Sequence, residues 1–230
     1  MLTLYSYPGL FGVADNNGYG LKVYAFLKLA GVPFRHEHIF DASQAPRGQL
    51  PYIVDDGDTV GDSETIIAYV TDKYGLTIDA MLSDAQRATS LLITRTLDDL
   101  YWVMSYSRWK DERYWEAFRD ALKREHPQLT DEGLLKAKEF NALRYHYQGI
   151  GRYDPDAAMG RGIADLAALA QVIPAHGYVH GDRPTGVDAA IYGFIANICF
   201  YDIDTPLKRF VTAHDNIVRH CRAIHAAVSR

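Results

Sequence analysis

The sequence predicts an α/β half built on a four-stranded mixed sheet, followed by an all-helical half. Three observations carry this expectation. From Leu2 to Tyr74 the apolar runs follow the order strand, helix, strand, then strand, tight turn, strand, helix. From about Asp84 onward strand signals nearly vanish and apolar residues recur at helical spacing. The composition suits a globular chain with a real core: 48% of the 230 residues are hydrophobic and 23% are charged.

Leu2 to Tyr7 is a compact apolar and aromatic run, read as a central strand. Pro8 to Asn17 reads as a loop, with Pro-Gly, Phe-Gly and Asp-Asn-Asn in it. Tyr19 to Ala30 is helical, with Tyr19, Val23, Phe26, Leu27 and Ala30 on one face; Gly31 and Pro33 stop it. Phe34 to Phe40 is the second strand, with Arg35, Glu37 and Ile39 on one face and His36 and His38 on the other. Pro51 has no N–H for a ladder, so it belongs at the start of a strand, here Tyr52 to Val54. Asp56-Gly57 is a hairpin turn. Asp62-Ser63 precedes Ile66, Ile67 and Val70 and supplies cap oxygens for a helix that Gly75 ends. The proline entry and this helix start can lie side by side, leaving backbone groups next to an anion-binding helix N-terminus. Strand-helix-strand closes as a right-handed parallel unit and the hairpin adds an antiparallel edge. The sum is a thioredoxin-like βαβ-ββα sheet domain, expected over residues 1–77.

The helical half is expected over residues 84–230. Its stripes are Ile93, Leu97, Leu100, Tyr101 and Met104; Ile163, Leu166, Ala167, Ala170 and Ile173; and Val187, Ile191, Phe194, Ile195 and Ile198. Trp109 to His126 reads as a charged surface helix, and Gly149 to Arg152 as a loop. Thr185-x-x-Asp188 is a capping-box variant that starts the most apolar helix, a folding device rather than a catalytic pair.

A net charge of −5 and the lack of a basic block argue against nucleic acid. The longest apolar run, Ala189 to Tyr201, is too short for a bilayer span. No secretory leader precedes the first strand, and Cys199 and Cys221 form no C-x-x-C, so a reducing, cytoplasmic setting is expected, with no membrane and no metal. His36-x-His38 has no third ligand at a clear spacing and reads as a solvated strand face.

Several segments occur in a specific order: Phe11-Gly12, Lys22-Val23, Gly31-Val32-Pro33-Phe34, Gly48-Gln49-Leu50-Pro51-Tyr52-Ile53, Asp62-Ser63, Gln148 to Arg152, and Gly181 to Ala189. Through them the chain resembles the cytosolic glutathione transferase superfamily along essentially its whole length. It looks most like the branch that includes metaxin-like and failed-axon-connections-like proteins. The resemblance implies glutathione as co-substrate, a small electrophile as second substrate, no metal, and a homodimer. It implies a cis Leu50-Pro51 bond, with Leu50 pairing its backbone to the cysteinyl residue of glutathione. Ser63 and the helix start would take the γ-glutamyl carboxylate, Asp62 the ammonium, and Gln49 the glycyl end. That branch usually carries a Ser-Pro-Phe-like segment before the Lys-Val of the first helix. Here Asn17-Gly18-Tyr19 stands there, so Asn17 takes the serine position as thiol partner, with Tyr7 at the end of the first strand as a second donor. From the residues alone, Asn17 and Asp62-Ser63 are also plain helix caps and Pro51 a plain strand start. The same fold accommodates a non-catalytic binding or assembly module, or a glutathione-dependent reductase. Arg152 reads either as structural or as part of the acceptor side.

Overall fold

The computed structural model describes residues 1–229. Its sheet has four strands, β1 (Thr3–Ser6), β2 (Arg35–His38), β3 (Tyr52–Asp55) and β4 (Asp58–Gly61), in the order β2-β1-β3-β4. β1 pairs in parallel with β2 and antiparallel with β3, and β3 pairs antiparallel with β4. Leu4 sits opposite Ile53 and both are fully buried, so apolar alternation fixes the register. The hairpin turn places Asp56 and Gly57 both at positive φ, 51° and 99°, matching the right-handed twist of its strands. The helices α1 (Gly18–Leu29) and α2 (Ser63–Tyr74) belong to this half; Gly75 ends α2 in the left-handed conformation.

The remainder is helical: α3 (Asp84–Trp109), α4 (Glu112–Glu125), α5 (Asp131–Gln148), α6 (Pro155–Val172), α7 (Gly186–Cys199), α8 (Pro206–Thr212) and α9 (Asp215–Val228). Every residue of α7 from Val187 to Ile198 is buried, and its main partner is α1. Gly193 permits that approach: a Cβ there would meet the Gly18 carbonyl oxygen at 2.5 Å and the Lys22 nitrogen at 2.7 Å. One apolar cluster therefore runs from Leu4, Phe26 and Ile53 through Leu97 and Phe194 to Ile224. A second, built on Leu10, Phe118, Leu122 and Tyr201, seats α4. The Thr185-x-x-Asp188 box forms as expected. Asp188 accepts from the Thr185 N–H and hydroxyl, both at 2.8 Å, from the Val179 N–H at 3.0 Å, and faces His220 Nε2 at 2.8 Å.

Four expectations change. Helix α3 continues past Met104 to Trp109, so the charged helix starts only at Glu112, where Asp111 caps it. The buried face of α6 is turned: Gly162 and Leu169 are buried while Ala167 is exposed, because Gly162 lies against Val103 of α3. Helix α5 has no counterpart in the sequence reading; it buries only Leu134 and Tyr145 and so lacks a continuous apolar stripe. The His36–His38 face is open only at His38, which is exposed; His36 is half-buried. His36 packs 5.2 Å from the Tyr24 ring and its Nε2 lies 2.7 Å from the Ser6 hydroxyl; burial, with His38 beside it, lowers its pKa to about 4. Both cysteines are free. Among the described residues, no helix is long and apolar enough to cross a membrane.

Candidate functional site

A cleft of about 930 Å³ opens between the sheet half and the helical half. Gln49, Leu50, Pro51, Asp62 and Ser63 line it, together with Tyr7 and Asn17, so all seven residues singled out in the sequence come together. The Leu50-Pro51 peptide is cis. Asp62 caps α2, accepting from the Thr65 N–H at 3.1 Å and the Thr65 hydroxyl at 3.2 Å. Ser63 is the first residue of α2 and is buried except where it meets the cleft. The first N–H groups of that helix have no intrahelical acceptor and carry the positive end of its dipole. Such a helix start favours an anion.

The facing wall comes from α3 and α5. Arg95 and Asp98, paired at 2.9 Å, stand on it with Tyr101, Trp102 and Arg144. A second cavity of about 580 Å³ adjoins the first. Its lining is mostly apolar, with Phe40, Met104, Trp109, Leu122 and Leu134, and Asn141 and Ser105 add polar groups. Tyr7, Asn17, Tyr101, Phe140 and Arg144 line both volumes, so a molecule in each would meet at these residues.

Asn17 combines its two readings. Its Oδ1 caps α1, accepting from the Tyr19 N–H at 2.9 Å, which fixes the amide orientation. Its Nδ2 is thereby turned toward the junction, where the contact it makes is a long one, 3.5 Å to the Tyr101 hydroxyl. Tyr7 has its pKa pushed up to about 12 by burial, with Tyr101 adding to the effect. It is a neutral phenol at physiological pH, a donor that keeps its proton. Tyr101 packs on Tyr19 at 4.8 Å and on Trp102 at 5.6 Å.

The loop that aims Asn17 is held by the helical half. Arg108 donates to the Asn16 carbonyl at 2.7 Å and to the Asn197 carbonyl at 2.6 Å, and Asn197 Nδ2 donates to the Asp15 carbonyl at 3.1 Å. Asp15 Oδ1 accepts from the Asn17 N–H at 2.7 Å, while its Oδ2 is buried without a partner. Burial raises the Asp15 pKa to about 8. An unfolded Asp titrates near 3.9, so the folded state binds the extra proton, and the stability it confers is lost as pH rises through about 8. Asp15→Asn keeps the acceptor for Asn17 and removes the titration. Thermal melts are expected to show wild type losing more stability than Asp15→Asn between pH 6 and pH 9. Parallel losses would contradict the buried, raised carboxyl.

Three of the junction residues, Tyr101, Phe140 and Arg144, are not marked as site residues by the sequence. Tyr101 was assigned to a buried stripe; it lies at that stripe's edge, half-buried and lining both volumes. Phe140 and Arg144 both sit on α5, which the sequence pattern does not mark. The surplus of polar groups around Tyr101 in an otherwise apolar repeat was the one available signal. Arg152 lines neither volume. It borders a separate recess with Tyr153 and Arg161, and its Nη1 donates to the His146 carbonyl at 3.3 Å.

The chain matches the family described as Glutathione S-transferase N-terminal domain over residues 19–114, and that described as Glutathione S-transferase, C-terminal domain over residues 162–224. It is 32% identical over 207 residues to the isoprene-epoxide–glutathione S-transferase of Rhodococcus sp. (strain AD45), across 86% of this chain and 87% of that protein. To Failed axon connections of Drosophila melanogaster it is 27% identical over 88% of this chain, which spans about half of that longer protein, 52%. In fold it resembles a glutathione transferase family member from Pseudomonas fluorescens pf-5 solved with two glutathione bound, at a TM-score of 0.63 and 17% identity, covering 100% of this chain and 91% of that one.

Proposed function

Since the chain belongs to the glutathione S-transferase superfamily, we propose that it conjugates the thiolate of glutathione to a small electrophile, residues 1–77 holding the tripeptide and residues 84–230 the acceptor. The observation that carries this is the meeting of a polar cleft and an apolar cavity at Asn17 and Tyr7. Ser63 and the start of α2 take the γ-glutamyl carboxylate, Asp62 the ammonium, the Leu50 backbone the cysteinyl unit and Gln49 the glycyl end. The sulfur then lies at the junction. A free thiol titrates near 8.5. Donation from Asn17 Nδ2 and from the neutral Tyr7 phenol favours the thiolate and lowers that value. The protein works in the cytoplasm as a homodimer; sedimentation of the purified chain tests the latter. The relative named for isoprene epoxide makes small epoxides a class to assay beside a generic aryl halide.

Calorimetric titration with glutathione, followed by conjugation assays, tests this function; no binding at millimolar glutathione would refute it. Asn17→Asp separates the two duties of Asn17. The carboxylate keeps the α1 cap, but it removes the donor and sets a negative charge beside the sulfur. The expected result is a loss of about 10²-fold in kcat/KM with the thermal midpoint unchanged. Asn17→Ser, which restores a hydroxyl donor, should keep or raise activity. A non-catalytic glutathione-binding module is the second reading, favoured by the engagement of Asn17 as helix cap. On that reading wild type binds glutathione without turnover and only Asn17→Ser conjugates.

A further inference from the structure

Helix α7 ends at Cys199 and α9 carries Cys221, and both thiols are free. The two helices pack against each other. His225 of α9 shows how their ends meet: its Nδ1 lies 2.8 Å from the Tyr192 hydroxyl of α7, and the Phe200 ring lies 4.6 Å from its imidazole. Phe200 directly follows Cys199, and Cys221 lies one turn before His225 on the same face of α9. The fold therefore brings the two thiols together, and the Cys221 S–H donates to the Cys199 sulfur. Neither cysteine lines the cleft or the apolar cavity.

The two sulfurs differ in access and in acidity. Cys221 is completely buried, whereas Cys199 is half-buried and reachable from solvent. The hydrogen bond from Cys221, helped by the positive charges of Arg222 and Lys208, lowers the Cys199 pKa in spite of its partial burial. The same hydrogen bond and full burial raise that of Cys221. The accessible sulfur is thus the one that ionises. A reachable thiolate with a second thiol in contact is the arrangement in which oxidation condenses to a disulfide. The contact also lies on the helix that supports the Asn17 loop: Asn197, two residues before Cys199, donates to the Asp15 carbonyl at 3.1 Å.

We propose that Cys199 and Cys221 form a peroxide-sensitive dithiol site, in which Cys199 is oxidised first and Cys221 resolves it to a disulfide that ties the end of α7 to α9. The site is separate from the transferase function and does not depend on it. The Cys199 thiolate attacks one oxygen of hydrogen peroxide; an S–O bond forms, the O–O bond breaks, and the other oxygen leaves as water after taking up a proton. The Cys221 sulfur then attacks the Cys199 sulfur. An S–S bond forms, the S–O bond breaks, and the hydroxyl leaves with the Cys221 proton as a second water. The two sulfurs lose two electrons and the peroxide gains them. Two glutathione molecules reverse the change: one thiolate opens the S–S bond as a mixed disulfide and the second displaces it as oxidised glutathione.

The test treats the reduced wild-type chain with equimolar hydrogen peroxide, quenches it with acid, and then denatures, alkylates and digests it for peptide mass spectrometry without reductant. The expected result is the loss of both alkylation sites and one linked peptide pair joining Cys199 to Cys221 within a chain, with both sites restored by glutathione. In the native reduced protein, iodoacetamide should label Cys199 at least about tenfold faster than Cys221. Cys221→Ala should stop at a Cys199 sulfenic acid, trapped by dimedone, and Cys199→Ser should leave Cys221 unoxidised; circular dichroism confirms that both variants are folded. Two alkylatable thiols after peroxide, a wild-type Cys199 carried on to sulfinic acid, a linkage between chains, or faster labelling of Cys221 would overturn the proposal. Each of these readouts is taken on the wild type, so the proposal stays open to refutation even where a variant fails to fold.

Discussion

Asp188→Ala is expected to lower stability by about 3–5 kcal/mol, the range for breaking a fully buried charge cluster by removing one member. The carboxylate is entirely inaccessible and faces four donors: the Val179 N–H, the Thr185 N–H and hydroxyl, and His220 Nε2. Hydrogen bonds from these donors, His220 first, outweigh the burial penalty, and the Asp188 pKa is lowered. Alanine leaves all four without an acceptor, at a helix start from which every residue to Ile198 is buried. Because α7 is also the main partner of α1, the loss reaches the loop that aims Asn17. Denaturant unfolding monitored by tryptophan fluorescence measures it. Asp188→Asn keeps an acceptor but not the charge and should fall between the two. A loss below about 1 kcal/mol, the worth of an ordinary solvent-replaceable hydrogen bond, would mean that the cluster does not anchor the start of α7. The sign of the pH dependence follows from the lowered pKa: this stabilisation is present above the unfolded carboxyl value and disappears as pH falls below it.

Ser63→Asp is expected to weaken glutathione binding by at least about 10²-fold, equivalent to about 3 kcal/mol. The new carboxylate occupies the N-terminus of α2 and takes the N–H groups and dipole that the γ-glutamyl carboxylate needs; the two like charges also repel. Acidic residues are favourable in a first helical turn, so the variant should fold as well as wild type. Loss of binding would then reflect the site and not the fold. Ser63→Ala removes only the hydroxyl and should cost about tenfold. Unchanged affinity in Ser63→Asp would move glutathione away from α2.

The difference between what the sequence revealed and what it hid follows contact order. Leu50-Pro51, Asp62-Ser63, Asp56-Gly57 and Asn17 each announce themselves locally, through a missing N–H, a cap oxygen or a positive φ, and each stands where local chemistry puts it. The order of strands and the Thr185-Asp188 box were legible for the same reason. Tyr101 was hidden because helical periodicity marks a stripe but not which member of it borders a cavity. Arg144 was hidden because α5 buries so little, only Leu134 and Tyr145, that its apolar residues trace no single face. The Asp15–Asn197–Arg108 contacts join loop, α7 and α3 across more than ninety to one hundred and eighty positions of sequence, separations that no local pattern encodes. His36 shows the reverse error: alternation identified its face correctly, but only the packing of α1 reveals that Tyr24 covers it.

We propose that bound glutathione has its sulfur at Asn17 and Tyr7 and is held there as a thiolate. The most direct measurement is ultraviolet difference titration of the wild-type binary complex for thiolate absorbance across pH. The bound thiol is expected to ionise well below the free value of about 8.5, and Asn17→Asp to move it back up. A bound thiol that titrates like the free tripeptide in both proteins would contradict it.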